Sequence, residues 1–264
     1  MSFSASTTLR QPPAVRRLLA AAAAALLAGL APAGRAGEVT VAVAANFAAP
    51  LARLAEGFTA ATGHTLTTSV GATGKFYSQI LAGAPFEVLI AADDETPSRL
   101  IKEGLAVAGS QVTYAIGQLV LWSAQPGLVD DQGAVLTSGK FSKLAIANPK
   151  LAPYGRAGLE VLKARGLIDA IRPKLVTAES LGQAYQFIAT GNADLGFVAL
   201  SQVAVPGKPV SGSYWRVPAT LHGEIRQDAV LLKPGTKSAA AAALLAYLKS
   251  APAKALIQAH GYGL

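Results

Sequence analysis

From Glu38 onward the chain alternates two apolar patterns: short runs of β-branched and small residues, and longer stretches in which apolar positions recur every three or four residues. The first is the period of strands buried in a sheet, and the second that of helices packed against one. EVTVAVAA reads as a strand and APLARLAEGFTAATG as a helix, stopped at Gly63 by a residue free to take positive φ. HTLTTSVG, KFYSQILAG, EVLIAA and ETPSRLIKEG continue the alternation, with Pro97 in the first turn of the last helix. QLVLWSA opens a fresh strand, and after a Gly/Asp/Ser-rich connection KLAIANP, GRAGLEVLKARG, KLVTAES, LGQAYQFIATG and DLGFVAL repeat the order. Such alternation predicts an α/β fold with largely parallel sheets.

QDAVLLK returns as an isolated strand, followed by SAAAAALLAYLKSAPAKALIQAHG, helical with a break near Pro252. A late strand needs a sheet to join, and the simplest placement is the first one. The chain then crosses between lobes twice, near Ile116 and near Glu224. This predicts one lobe from residues 37–115 and 225–264 and a second from residues 116–224, joined by two strand-like crossovers that act as a hinge.

The first thirty-six residues follow a different pattern. Arg10, Arg16 and Arg17 precede an uncharged run of thirteen residues from Leu18 to Leu30, shorter than the roughly 20 that span a bilayer. Gly34-Arg35-Ala36 then supplies small residues where a signal peptidase reads. The segment reads as a cleaved secretory leader, with the mature chain beginning near Gly37. It carries four arginines and no acids, so the formal charge falls from +8 to about +4 without it. The remaining Lys and Arg are scattered, without a basic run or aromatic interleaving, and nucleic-acid binding has no footprint.

The sequence has no cysteine, and its one methionine is Met1. Disulfides, thiolate metal sites, cysteine nucleophiles and a lipid-modified N-terminus are excluded, as is a thioether ligand in the mature chain. A secreted binding protein without lipid or span diffuses away unless an outer membrane retains it, which points to a periplasm.

Catalytic constellations are missing. His64, His222 and His260 lie far apart and no G-x-S-x-G elbow occurs, so no enzyme is expected. Asp93, Asp94 and Glu95 follow EVLIAA at a strand's carboxyl end, where a carboxylate pair suits Mg²⁺ or Ca²⁺ but also suits the start of a helix. GATGK, residues 71–75, fails as a phosphate loop, because only two residues separate its glycines and Phe76 follows the lysine.

A more general feature survives. Four strands run into helices through small or neutral polar residues: at Asn46, at Thr73, at Tyr154 in NPKLAPYGRAG, and at Ser180-Leu181 after KLVTAES. Helix starts present N–H groups without acceptors and the positive end of a dipole. Taken singly, each corner is an ordinary helix cap. Facing one another across a hinge, two from each lobe make a pocket of converging uncharged donors, able to hold a fully ionised oxyanion without a basic residue.

At VAVAANFAAPL, SVGATGKFYSQILAGAPFEVLIAADDETPSRLIKEG, LAIANPKLAPYGRAGLEVL and GNADLGFVALSQV the chain resembles the periplasmic molybdate-binding proteins of ABC importers, over essentially the whole mature length. The resemblance implies a type II periplasmic binding protein fold, in which each of two α/β lobes is a mixed sheet flanked by helices. It implies a cleft that closes on molybdate or tungstate, a membrane permease with its ATPase as partners, a monomer, and no cofactor. Position by position, it assigns the anion to Asn46, Thr73, Tyr154 and Leu181, with Ala45 and Ala72 as further backbone donors. Two departures stand out: Asn46 replaces a frequent serine, and Ala199 replaces a tyrosine whose hydroxyl Tyr154 would supply from elsewhere. The alternatives are another oxyanion such as sulfate or thiosulfate, or a metal ion held by Asp93, Asp94 and tyrosines.

Overall fold

The computed structural model describes residues 36–264, so the leader expected over residues 1–36 lies outside it except for Ala36. In chain order its first half contains β1 (Glu38–Ala44), α1 (Ala48–Thr62), β2 (Thr65–Gly71), α2 (Thr73–Leu81), β3 (Val88–Ile90), α3 (Glu95–Lys102), β4 (Val112–Gly117) and β5 (Leu119–Ser123). Next come α4 (Val135–Ser138), β6 (Leu144–Ala147), α5 (Pro153–Ala164), α6 (Ile168–Ile171), β7 (Leu175–Ala178) and α7 (Leu181–Ala189). The last elements are β8 (Leu195–Ala199), α8 (Leu200–Val203), β9 (Ser213–Arg216), β10 (Ile225–Leu231), α9 (Ala239–Leu248) and α10 (Ala251–Ala259).

The strands form two five-stranded sheets, ordered β2-β1-β3-β10-β4 and β7-β6-β8-β5-β9, each the centre of one lobe. The chain passes from the first sheet to the second across a single residue, Gln118, and returns between β9 and β10. The sheets are less parallel than the alternation suggests. β1 pairs in parallel with β2 and β3, but β10 is antiparallel to β3 and β4. β6 pairs in parallel with β7 and β8, whereas β5 is antiparallel to β8 and β9. Strands that carry the chain between lobes enter a sheet from the opposite end. VTYAIG, which becomes β4, contains the strand-like crossover expected near Ile116, whereas SYWR, which becomes β9, has no counterpart in a reading built on strand–helix pairs.

Period-two burial along β1 explains the layers of the first lobe. Val39, Val41 and Val43 pack with Phe47, Leu51 and Phe58 beneath α9 and α10, while Ala42 faces Phe76, Ile80 and Leu89 on the other side. Burying each such side chain contributes about 1.5–3 kcal/mol. α1 ends at Gly63, whose φ of 74° and N–H bond to Thr59 O close the last turn. The C-terminal break falls at Lys249 and Ser250. Ser250 caps α10, Pro252 occupies its first turn, and the two helices meet at 61°. No single helix among the described residues is long and apolar enough to cross a membrane.

The second lobe is built around Leu119, Leu121, Leu144, Phe197 and Val198. Here α5 starts in direct contact with the end of β6: a Cβ on Gly155 would collide with Ala147 O. Gly155→Ala should therefore push α5 off β6, costing about 1–3 kcal/mol. Thermal unfolding checks this, and an unchanged melting temperature would mean the helix start has room to spare.

Candidate functional site

The four sequence-marked corners stand at carboxyl ends of paired parallel strands, where open α/β sheets present their crevices. β1 and β2 run side by side into the 3-10 turn Ala45–Phe47 and into α2, and β6 and β7 run side by side toward α5 and α7. The two pairs face each other across the lobes and line one narrow cleft, with room for about 10 Å³, walled by residues 44–46, 71–73 and 152–154 with Ala92 and Leu181. Asn46, Thr73, Tyr154 and Leu181 are 2, 1, 1 and 4 % exposed. Ala45 and Ala72 lie in the same wall. No charged side chain lines the cavity, and small residues let the backbones come close.

Helix capping does not account for these corners. Ala44, Ala72 and Ala152 hold the cap positions before the 3-10 turn, α2 and α5, and none makes a side-chain cap. Only Ser180 caps, accepting from Gln183 N at 3.2 Å, which leaves Leu181 N free. Asn46 is no cap either, because it sits inside the 3-10 turn and α1 begins after Phe47. The first-turn N–H groups of Thr73, Tyr154 and Leu181 have no acceptor in a preceding turn, and no backbone bond outside the helices engages them among the described residues.

The hydroxyls are arranged alike. Thr73 Oγ1 accepts from Ala92 N at 3.0 Å, and Tyr154 Oη accepts from Gln227 Nε2 at 2.8 Å. Neither hydroxyl donates to any described protein group, so each keeps its hydrogen. Burial, reinforced by nearby Tyr262, pushes the Tyr154 hydroxyl well above its ordinary pKa, and it stays a protonated donor. Asn46 differs from expectation: its amide points inward, with Nδ2 donating to Gln227 Oε1 at 2.8 Å and Tyr262 Oη at 3.0 Å. A buried amide needs partners, and these two lie behind it. What Asn46 presents at its corner is thus the main-chain N–H, while its carbonyl accepts from Ser201 Oγ and Tyr262 Oη at 2.9 Å each.

Gln227, Tyr114 and Tyr262 complete this network and were missed in the sequence. The Tyr114 hydroxyl shares its one hydrogen between Ala91 O at 2.8 Å and Gln227 Oε1 at 2.9 Å. A bulge between Gln227 and Asp228 turns two consecutive polar residues inward on β10. The polar pair heading the apolar run QDAVLLK was the available signal.

Ala199, where the tyrosine was expected, ends β8 and donates its N–H to Gln202 Oε1 at 3.1 Å. The acids after β3 are engaged elsewhere. Asp93 accepts from Thr96 N at 3.0 Å at the start of α3, and burial raises its pKa against those bonds. Among the described residues no three His, Cys, Asp or Glu come together in a metal-binding group.

The lobes touch around the cavity. Gly74 N donates to Leu151 O at 2.9 Å, and Lys75–Glu179 and Arg156–Glu95 pair at 2.9 Å each.

Two α/β lobes on two crossovers, closed over a small cleft of neutral donors, define a two-lobed solute-binding protein. Residues 39–263 match the family model for bacterial extracellular solute-binding proteins, and the chain belongs to that family. It is 59% identical over 235 residues to the molybdate-binding protein ModA of Azotobacter vinelandii, covering 89% of this chain and 93% of that one. It is 52% identical over 237 residues to ModA of Rhodobacter capsulatus, covering 90% and 92%. Its structure is similar to that of the Azotobacter vinelandii periplasmic molybdate-binding protein, with a TM-score of 0.84 at 44% identity over 86% of this chain and 99% of the other.

A Cβ on Gly74 would stand 3.0 Å from Leu151 Cα and 3.2 Å from its oxygen. Gly74→Val should hold the lobes apart and raise the radius of gyration in small-angle scattering. An unchanged radius would mean closure does not need this approach.

Proposed function

We propose that the chain is the periplasmic capture component of an ABC importer and that its ligand is molybdate or tungstate. The observation that carries the reading is that residues with unengaged first-turn N–H groups, and two hydroxyls that donate to no described protein group, line one uncharged cleft. The similarity to the two ModA proteins supports the choice of anion. Asn46, Thr73, Tyr154 and Leu181 are the proposed donors, with Ala45 and Ala72 as additional backbone groups. The protein works as a monomer after its leader is cleaved near Gly37, with lobes bounded near residues 116 and 224, and delivers the closed form to a permease and its ATPase. Nothing in the site performs chemistry on the ligand.

Selectivity follows from the donor set. Phosphate carries a proton near neutral pH and needs an acceptor carboxylate, which this cavity lacks. Sulfate is smaller than molybdate, and donors held by two rigid lobes leave some of its hydrogen bonds too long to count. In titration calorimetry molybdate should bind far more tightly than sulfate and resist competition by it. Millimolar-only binding of molybdate would overturn the reading, and displacement by equimolar sulfate would move it to the sulfate class.

Thr73→Ala removes a hydroxyl without touching the backbone donors. It should weaken molybdate binding by about 1–3 kcal/mol, the size of a hydrogen bond to a charged partner. An affinity equal to wild type would exclude the Thr73 hydroxyl from the site.

A further inference from the structure

Behind the cavity lies a fully buried residue that neither the corners nor the resemblance points to. Gln227, on β10 of the first lobe, is 0 % exposed and bonds both lobes at once. Its Oε1 accepts from Asn46 Nδ2 at 2.8 Å and Tyr114 Oη at 2.9 Å, and its Nε2 donates to Tyr154 Oη at 2.8 Å. We propose that Gln227 is the positioning residue of the anion site: by donating to Tyr154 it occupies a lone pair of that hydroxyl and leaves the hydroxyl hydrogen for the ligand. The inference rests on the oxyanion reading and deepens it.

The side-chain chemistry is specific. An amide has an acceptor end for Asn46 and Tyr114 and a donor end for Tyr154. A carboxylate at this position would take the tyrosine's hydrogen for itself, and an apolar chain would leave the hydroxyl without a donor to orient it. Tyr262 Oη gives its one hydrogen to Asn46 O and so accepts from the Asn46 amide, which makes that amide end the nitrogen; the end of Gln227 facing it is therefore the oxygen, and the Gln227 nitrogen faces Tyr154. The room for this pair comes from Gly117 at the end of β4. A Cβ there would collide with Tyr154 Oη and press on Gln227 Nε2 at 2.5 Å. The glycine stands one residue before the crossing to the second lobe, so the bond joins the lobes beside the hinge.

The test is a double-mutant cycle on the full mature chain, with molybdate affinity read by calorimetry and ligand-free stability by thermal unfolding. Wild-type binding of molybdate comes first; its failure removes the oxyanion reading and this inference with it. Where wild type binds, Tyr154→Phe and Gln227→Met should each weaken binding about tenfold or more, as expected for a hydrogen bond to a charged partner. In the Tyr154→Phe background Gln227→Met should then cost less than about twofold, whereas with Thr73→Ala, outside the network, the losses should multiply. Full-strength binding by Gln227→Met, or losses that multiply with Tyr154→Phe, would overturn the proposal while leaving the oxyanion reading intact. If Gln227→Met does not fold, Gln227→Glu provides the same cycle, since its carboxylate takes the Tyr154 hydrogen that the ligand would otherwise receive. Its loss should likewise vanish with Tyr154→Phe, and an undiminished loss would overturn the proposal.

Discussion

Helix starts leave N–H groups that the helix itself cannot satisfy, and the architecture brings four such starts to one point. Much of the rest serves that meeting. Parallel pairing of β1 with β2 and of β6 with β7 sets the corners side by side within each lobe. Alanines at positions 44, 45, 72, 92 and 152 keep the walls thin enough for backbone to reach the cavity. The donors are already buried and fixed, so a bound anion need not order them, and each hydrogen bond to its charge is worth about 1.5–3 kcal/mol. A basic residue would add attraction for any anion; fixed dipoles add it only for one that fits.

The hydroxyl donors depend on what stands behind them. Thr73 and Tyr154 each receive a hydrogen from the protein, from Ala92 N and Gln227 Nε2, and neither gives its own to a described protein group. Tyr114, Tyr154 and Tyr262 all have their pKa raised, with burial the largest cause, so the network stays neutral across physiological pH. The inner layer therefore sets hydrogen-bond direction without placing charge near the proposed ligand.

Closure has two kinds of contact. The ion pairs Lys75–Glu179 and Arg156–Glu95 flank the cleft, but their side chains are 47/64 % and 48/70 % exposed. Such pairs contribute roughly 0–1 kcal/mol each, too little to hold the lobes together alone. The Gly74–Leu151 backbone bond and the donors of the second lobe are the contacts that an anion would favour, which makes ligand binding the larger bias toward the closed form.

Periodicity and residue type made the strand–helix alternation legible, together with its stop at Gly63, the break near Pro252 and the corners at Asn46, Thr73, Tyr154 and Leu181. These are local properties: a buried strand, a helix start and a glycine stop are each decided by neighbours a few residues away. The direction of the strands that follow each crossover was not local, and β5 and β10 run against their sheets because of where the crossovers deliver them. Nor was the orientation of the Asn46 amide, which turns inward only because Gln227 and Tyr262, 181 and 216 residues away, reach it across the fold. A residue's type shows that it has hydrogens to give; which way it gives them depends on what the fold places behind it.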